Sequence, residues 1–316
     1  MKTLIVKLGA SGDIVRTTVL LNELKGDIYW LTSNYNTDLL KSKKIKKFFV
    51  FENASDLEEL GDMEFDLLLS LDEEKTTLEF LRNIKAKKLI GHFLDEEGKV
   101  DYTTECDYWL DMSMVSKKYL QDEANRLKFL NNKSIPEIIT ELVFGEGSWK
   151  GQEYDLGLNP KPLEEVKGVV GLIDVTEGKW PNKYWSGYKE LKLMLEQEGY
   201  KVISLRLRPT LGEHIDDINN CELIVCGDTL GMHLALALRK KVVAIFNCTP
   251  PNEIYSYGLM KKMVSPLLSE YFLKRTNDEE AQTSVSVKEV YKAVKELLDE
   301  NNKNYSKVEE NNKNNF

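Results

Sequence analysis

Twice along this chain a short apolar run ends in a glycine-containing turn and resumes as a helical pattern, and that unit leaves few folds open. Leu4 to Leu8 leans towards strand, Gly9-Ala10-Ser11-Gly12-Asp13 follows, and Ile14, Leu20, Leu21 and Leu24 then fall on one helical face. In the second half Leu223-Ile224-Val225-Cys226 gives way to Gly227-Asp228 and a helical stretch from Thr229 to Leu238. Strands joined to helices through tight turns predict parallel sheets with covering helices, an α/β fold.

Other strand-like runs support the same reading: Ile28 to Thr32, Phe48 to Phe51, Phe65 to Leu69 and Lys88 to Ile90, then Gly168 to Ile173, Lys201 to Leu205 and Val242 to Phe246. The stretch Cys106 to Leu130 reads as mainly helical. Residues 131 to 167 carry the densest Asn, Gly and Pro punctuation, which places a domain boundary there. With 316 residues the chain has room for two domains of roughly 150 residues each. The expected division is 1–150, 151–300 and a tail. An amphipathic helix around Val287 to Leu298 closes the second domain and is able to pack back on the first. The tail, 301–316, contains seven Asn and few apolar residues, so it is expected to stay disordered. Residues 260–284 have a mixed polarity that fits no simple pattern.

Charge and cysteine usage narrow the function class. A net charge of -9 argues against a nucleic-acid partner. Cys106, Cys221, Cys226 and Cys248 form no C-x-x-C pair and have no histidine at metal-ligand spacing, so neither a zinc site nor a disulfide framework is expected. The N-terminal apolar run is interrupted by Lys7, and no window approaches the roughly 18–20 apolar residues of a membrane span. A cytoplasmic protein is expected, with any membrane contact peripheral.

Three turns have the makings of a ligand site. In the first, Asp13 stands at a helix start on the carboxyl edge of a strand, the rim where open α/β sheets bind ligands. A carboxylate there suits proton removal, or it caps and complements the helix dipole. Ser11, Gly12 and Arg16 share that rim. The second turn is Thr176-Glu177-Gly178-Lys179-Trp180-Pro181, whose lysine can neutralise a diphosphate; the alternative is a solvated loop with Trp180 and Trp185 in the core. In the third, Asp228, Thr229, Gly231 and His233 surround a helix start whose free N–H groups suit a phosphate. Taken alone, His233 also fits a packing role. Neither half carries G-x-G-x-x-G, which removes the support for a dinucleotide-dependent dehydrogenase.

Together the segments 6–18, 179–181, 227–237 and 246–250 resemble, in order, the heptosyltransferases of glycosyltransferase family nine. The resemblance implies a GT-B fold: two facing Rossmann-like domains with parallel sheets and an interdomain cleft, the first binding acceptor and the second nucleotide sugar. It also implies inverting transfer of a heptose or related sugar from an ADP-activated donor to a saccharide acceptor of the lipopolysaccharide inner core, with no cofactor. By that resemblance Asp13 is the general base, and Asp228, Thr229, His233 and Lys179 hold the donor diphosphate, with Thr176 and Gly231 beside them. The chain departs from the family in two places: Gly178 stands where the lysine commonly does, and Leu230 follows Asp228-Thr229 where glycine is frequent. No D-x-D pair occurs, so no dedicated metal site is expected.

Lys41-Ser42-Lys43-Lys44-Ile45-Lys46-Lys47 stands out in an acidic chain. It reads either as a solvated face or as a patch that meets an anionic glycolipid or the inner face of the cell membrane. The rival readings are another nucleotide sugar or a protein acceptor on the same scaffold, and a nucleotide-sugar-binding protein without turnover.

Overall fold

The computed structural model describes residues 1–175 and 178–299. The expected tail, 301–316, and Thr176 of the expected donor site lie outside the described residues. The chain divides into two compact units: Met1–Leu158 with Asn252–Tyr255, and Asn159–Pro251 with the residues from Ser256 onward. The division therefore falls at Leu158/Asn159 rather than at 150/151. The punctuated stretch ahead of it is only partly linker. Ser134 and Glu137 form a reciprocal cap that starts a helix over Ile135–Phe144, with Pro136 in its first turn.

The first unit is built on β1 (Lys2–Val6), β2 (Asp27–Thr32), β3 (Ile45–Val50), β4 (Glu64–Ser70), β5 (Lys85–Leu94) and β6 (Val100–Tyr102). They lie in the order β3-β2-β1-β4-β5-β6, all parallel except β6, which runs antiparallel to β5. β1 is central and covered on both faces: Leu4, Ile5 and Val6 are fully buried, the continuous apolar run expected of an interior parallel strand. The lysine-rich stretch becomes the edge strand β3 and the turn before it. Charges there protect an open sheet edge. Lys41 pairs with Asp38, Lys44 with Asp155, Lys46 with Asp27 and Lys47 with Glu59 at 2.5–3.0 Å, so most of the patch is neutralised locally.

The second unit carries β7 (Val169–Ile173), β8 (Lys201–Ser204), β9 (Leu223–Gly227), β10 (Lys241–Phe246) and β11 (Met260–Val264), all parallel in the order β11-β10-β9-β7-β8. β11 accounts for the mixed polarity after residue 260. It is an edge strand whose Lys262 donates to the Pro251 carbonyl at 2.7 Å and whose Lys261 pairs with Glu296. The last helix, over 287–299, belongs to this unit. Val290, Ala293, Val294, Leu297 and Leu298 recur every three or four residues and pack with Val170, Leu172, Leu223 and Val243 of the sheet. Trp185 is fully buried in the same core and donates Nε1 to the Val285 carbonyl at 2.9 Å.

In each sheet the strand order reverses beside the first strand of the unit, between β1 and β4 and between β7 and β9. Crevices outside the carboxyl ends of such strand pairs are where open α/β sheets bind ligands. The Gly9–Asp13 and Gly227–Gly231 turns lie at these two points. No helix among the described residues is long and apolar enough to cross a membrane.

Candidate donor and acceptor sites

The rim of the first sheet is organised by residues far from the glycine turn. Asp72, just past β4, accepts from the Leu8 N–H at 2.9 Å and the Gly9 N–H at 3.2 Å, and its carboxylate lies 3.7 Å from the Lys7 Nζ. Burial alone would push the Asp72 carboxyl up; Lys7 and the backbone N–H groups of Leu8, Gly9 and Glu74 hold it below the usual carboxylate range. Asn36 closes the other side by donating to the Leu8 carbonyl at 2.7 Å and accepting from the Ser11 hydroxyl at 2.6 Å. Ser11 is thus committed to the scaffold. His92, on β5, is 3% exposed; burial and the neighbouring Lys7 lower its pKa to about 4, so it is a neutral ring in the wall behind Asp72.

The left-handed backbone position of this turn does not fall on a glycine. Ala10, not Gly9 or Gly12, takes the left-handed conformation at φ 54° and precedes the helix Ser11–Thr17. Asp13 sits in that helix's first turn, where a negative charge complements the dipole, and pairs with Arg16 one turn on. Its side chain remains 37% exposed at the carboxyl edge of β1. Gly12, Asp13 and Arg16 therefore do share one rim, with Ser11 turned into the structure.

On the second sheet the helix Leu230–Ala237 begins directly at the end of β9, with Thr229 as its extended N-cap residue. The Thr229 hydroxyl makes no capping bond, and its buried Oγ1 has no hydrogen-bond partner among the described residues. The same holds for Asp174 Oδ1 just past β7 and for Asn247 Oδ1 and Thr249 Oγ1 just past β10. Buried polar atoms are normally satisfied, so four such atoms along one sheet edge are a strong sign of a ligand's place. Two glycines are closely packed here, one against backbone and one against a side-chain tip. A Cβ on Gly227 would stand 2.5 Å from the Lys183 carbonyl oxygen, and one on Gly231 would run into the Ile173 side chain. His233 is 4% exposed within the helix.

The cation of this rim is one that motif spacing did not single out. Lys179 is exposed, whereas Lys183, in the short turn Pro181–Lys183, reaches Asp228: its Nζ lies 3.1 Å from the carboxylate and donates to the Asp228 carbonyl at 2.8 Å. Pairing matters chemically, because a phosphate would be repelled by an uncompensated carboxylate at that point. All four cysteines are buried and free; burial pushes Cys106 up to about 11 and Cys248 to about 12, which leaves them unsuited to nucleophilic work.

Residues 205–283, which contain β9, β10 and the Gly227–Gly231 turn, match the family model described as glycosyltransferase family 9 (heptosyltransferase). No curated protein sequence matches the chain. Solved structures share its fold over nearly its whole length. Escherichia coli ADP-heptose lipopolysaccharide heptosyltransferase II superposes with a TM-score of 0.64 at 15% identity, covering 96% of this chain and 100% of that one. Escherichia coli heptosyltransferase WaaC, solved with ADP, gives 0.62 at 14%, covering 94% and 100%. A family 9 glycosyltransferase from Veillonella parvula gives 0.60 at 16%, covering 95% and 97%. The chain thus shares the fold of these solved structures along nearly its whole length, and its residues 205–283 are similar to the glycosyltransferase family 9 (heptosyltransferase) model.

Proposed function

We propose that the protein is an inverting transferase that moves a heptose, or a closely related sugar, from an ADP-activated donor to a saccharide acceptor of the lipopolysaccharide inner core. The observation that carries this reading is the second rim: four unsatisfied buried polar atoms beside the Lys183–Asp228 pair and the open start of the Leu230–Ala237 helix. Helix-start N–H groups and a lysine suit a diphosphate that gains negative charge as the sugar departs. The solved relatives named with ADP and with lipopolysaccharide supply the choice of donor and acceptor class.

In this reading Thr229, Gly231 and the helix start hold the donor, Lys183 takes the part expected of Lys179, and Asp228 orients Lys183. His233 supports the helix start from within. Asp13 removes the acceptor hydroxyl's proton as the glycosidic bond forms, a contribution of roughly 10²- to 10⁴-fold. Arg16 holds the Asp13 carboxylate in place, and Asp72 and Asn36 fix the turn that presents it. The absence of D-x-D pairs in the sequence favours a reaction without a dedicated metal. Such an acceptor would place the protein in the cytoplasm at the inner face of the membrane, with the paired lysines of 41–47 contributing little to that contact.

Thermal stabilisation by nucleoside diphosphates and nucleotide sugars, with and without EDTA, tests the donor site directly. An EDTA-insensitive shift with ADP or ADP-heptose is expected; silence towards every nucleotide refutes the reading. Asp13→Ala is expected to abolish transfer while the donor shift persists. A protein that shows the shift but never transfers sugar is a binding module.

A further inference from the structure

Trp180, at the edge of the second rim, is flanked by two cations. The Lys183 Nζ lies 5.6 Å from its ring centroid and the Arg275 Cζ lies 4.7 Å from it. The ring is anchored, since it packs against a small cluster of Cys248, Tyr271 and Ala281. Arg275 arrives from the loop that follows the helix Leu268–Tyr271, more than ninety residues along the chain from Lys183.

A buried staple holds those two segments in register. Asn182, fully buried, donates its Nδ2 to the Asp278 carboxylate at 2.8 Å and accepts from the Asp278 N–H through its Oδ1 at 2.8 Å. Thr276 hydrogen-bonds the same carboxylate and lies 3.4 Å from the Asn182 Nδ2. The residue before Lys183 is thus tied to the residues on the far side of Arg275. Asn182 and Asp278 satisfy one another in a reciprocal pair, which fixes loop geometry more tightly than either bond alone.

We propose that Arg275, held over Trp180 by the Asn182–Asp278 staple, is a second diphosphate-binding residue and acts beside Lys183. The inference rests on the reading that this rim takes a nucleotide sugar. Lys183 supplies a point charge that already serves Asp228. A guanidinium presents a planar fork that can engage two phosphate oxygens at once. Stacking on an indole pre-orients that fork and reduces the conformational freedom lost on binding. Arg275 thus adds, from a distant part of the chain, a second charge beside Lys183, which takes the part expected of Lys179. Because the diphosphate grows more negative as the sugar leaves, Arg275 contributes more to the departing state than to the bound donor.

The test is a calorimetric comparison of nucleoside diphosphates with their monophosphates, using full-length wild type, Arg275→Gln, Arg275→Lys and the staple variants. Wild type is expected to prefer ADP to AMP. Arg275→Gln should weaken ADP about tenfold and AMP far less, and Arg275→Lys should recover part of the difference. Arg275 is exposed, so the variant is expected to melt within about 1 °C of wild type. Asp278→Ala should lose part of the ADP preference. The exchanged pair Asn182→Asp with Asp278→Asn, which preserves both bonds, should restore it. Wild-type preference for ADP with an unaltered Arg275→Gln overturns this inference alone. Equal weakening of AMP and ADP in Arg275→Gln overturns it too, since the effect would not depend on the second phosphate. Failure of wild type to bind any nucleoside diphosphate overturns the nucleotide-sugar reading and the inference with it.

Discussion

Replacing Asp72 should loosen the turn that carries Asp13 without touching Asp13 itself. The carboxylate is 3% exposed and receives the Leu8 and Gly9 N–H groups. Hydrogen bonds to a charged partner contribute about 1.5–3 kcal/mol each, so Asp72→Ala should cost about 3 kcal/mol or more. For a unit of this size that is a fall of roughly 6–12 °C in the melting midpoint. Asp72→Asn keeps an acceptor but loses the charge facing Lys7, and should cost about half as much. Hydrogen exchange gives the local readout: the Leu8 and Gly9 amides should lose about a hundredfold protection in Asp72→Ala.

Acid supplies an independent arm. The folded-state pKa of Asp72 is held below its unfolded value of about 3.9, so its contribution is complete above that pH and is lost as pH falls through the folded value. The gap in stability between wild type and Asp72→Ala should therefore be widest near neutrality and shrink on acidification. A gap under about 1 kcal/mol at pH 7, or one that stays constant down to acid unfolding, would refute the assignment of Asp72 as the clamp of this turn.

Two substitutions on the second rim separate binding from stability. Thr229→Val should raise the melting midpoint by a few degrees, because it removes a buried hydroxyl that makes no cap bond and has no partner among the described residues; ADP affinity should fall about fivefold by calorimetry. Gly231→Ala should destabilise the second unit by about 1–3 kcal/mol in urea unfolding, because the new methyl meets Ile173, and adding Ile173→Val should recover much of that loss.

Local sequence carried the architecture where one pattern decided it. Continuous apolar runs at 223–226 and 242–246 could only be interior parallel strands, and the structure has them at β9 and β10. β11 was hidden because an edge strand need bury only part of each side chain, so Met260-Lys261-Lys262-Met263-Val264 alternates neither like a sheet face nor like a helix. The helix Leu211–Asn219 had a signal in Thr210 and Glu213, a reciprocal cap at the spacing such caps require. The turn at the second rim was legible at Thr229 and Gly231 because strand, turn and helix are contiguous there. Lys183 was not legible, since nothing in 179–183 says which of two lysines the short turn will direct to Asp228. Asp72 and Asn36 are farther out of reach. Their part depends on β4 and β2 lying on either side of β1, which is a property of the sheet and not of any local stretch.

The two glycine turns differ in how their own polar groups are satisfied, although both sit on the same supersecondary unit. At the first, Asp72 and Asn36 consume the hydrogen-bonding capacity of the Leu8 and Gly9 backbone and of Ser11, so the turn is internally complete and its Asp13 is presented on a stiff support. A general base benefits from such stiffness, because a proton transfer tolerates little error in donor–acceptor distance. At the second, Asp174, Thr229, Asn247 and Thr249 keep buried polar atoms unsatisfied, each at a cost of about 1–3 kcal/mol. The fold carries that cost because the Lys183–Asp228 pair and the dense apolar core beneath hold the strands and turns in place regardless. A ligand that satisfies those atoms recovers the free energy as affinity, and recovers most when its own oxygens bear the charge the helix start favours. In the proposed reading the clamped first turn fixes the base in advance, and the donor completes its own site at the second rim.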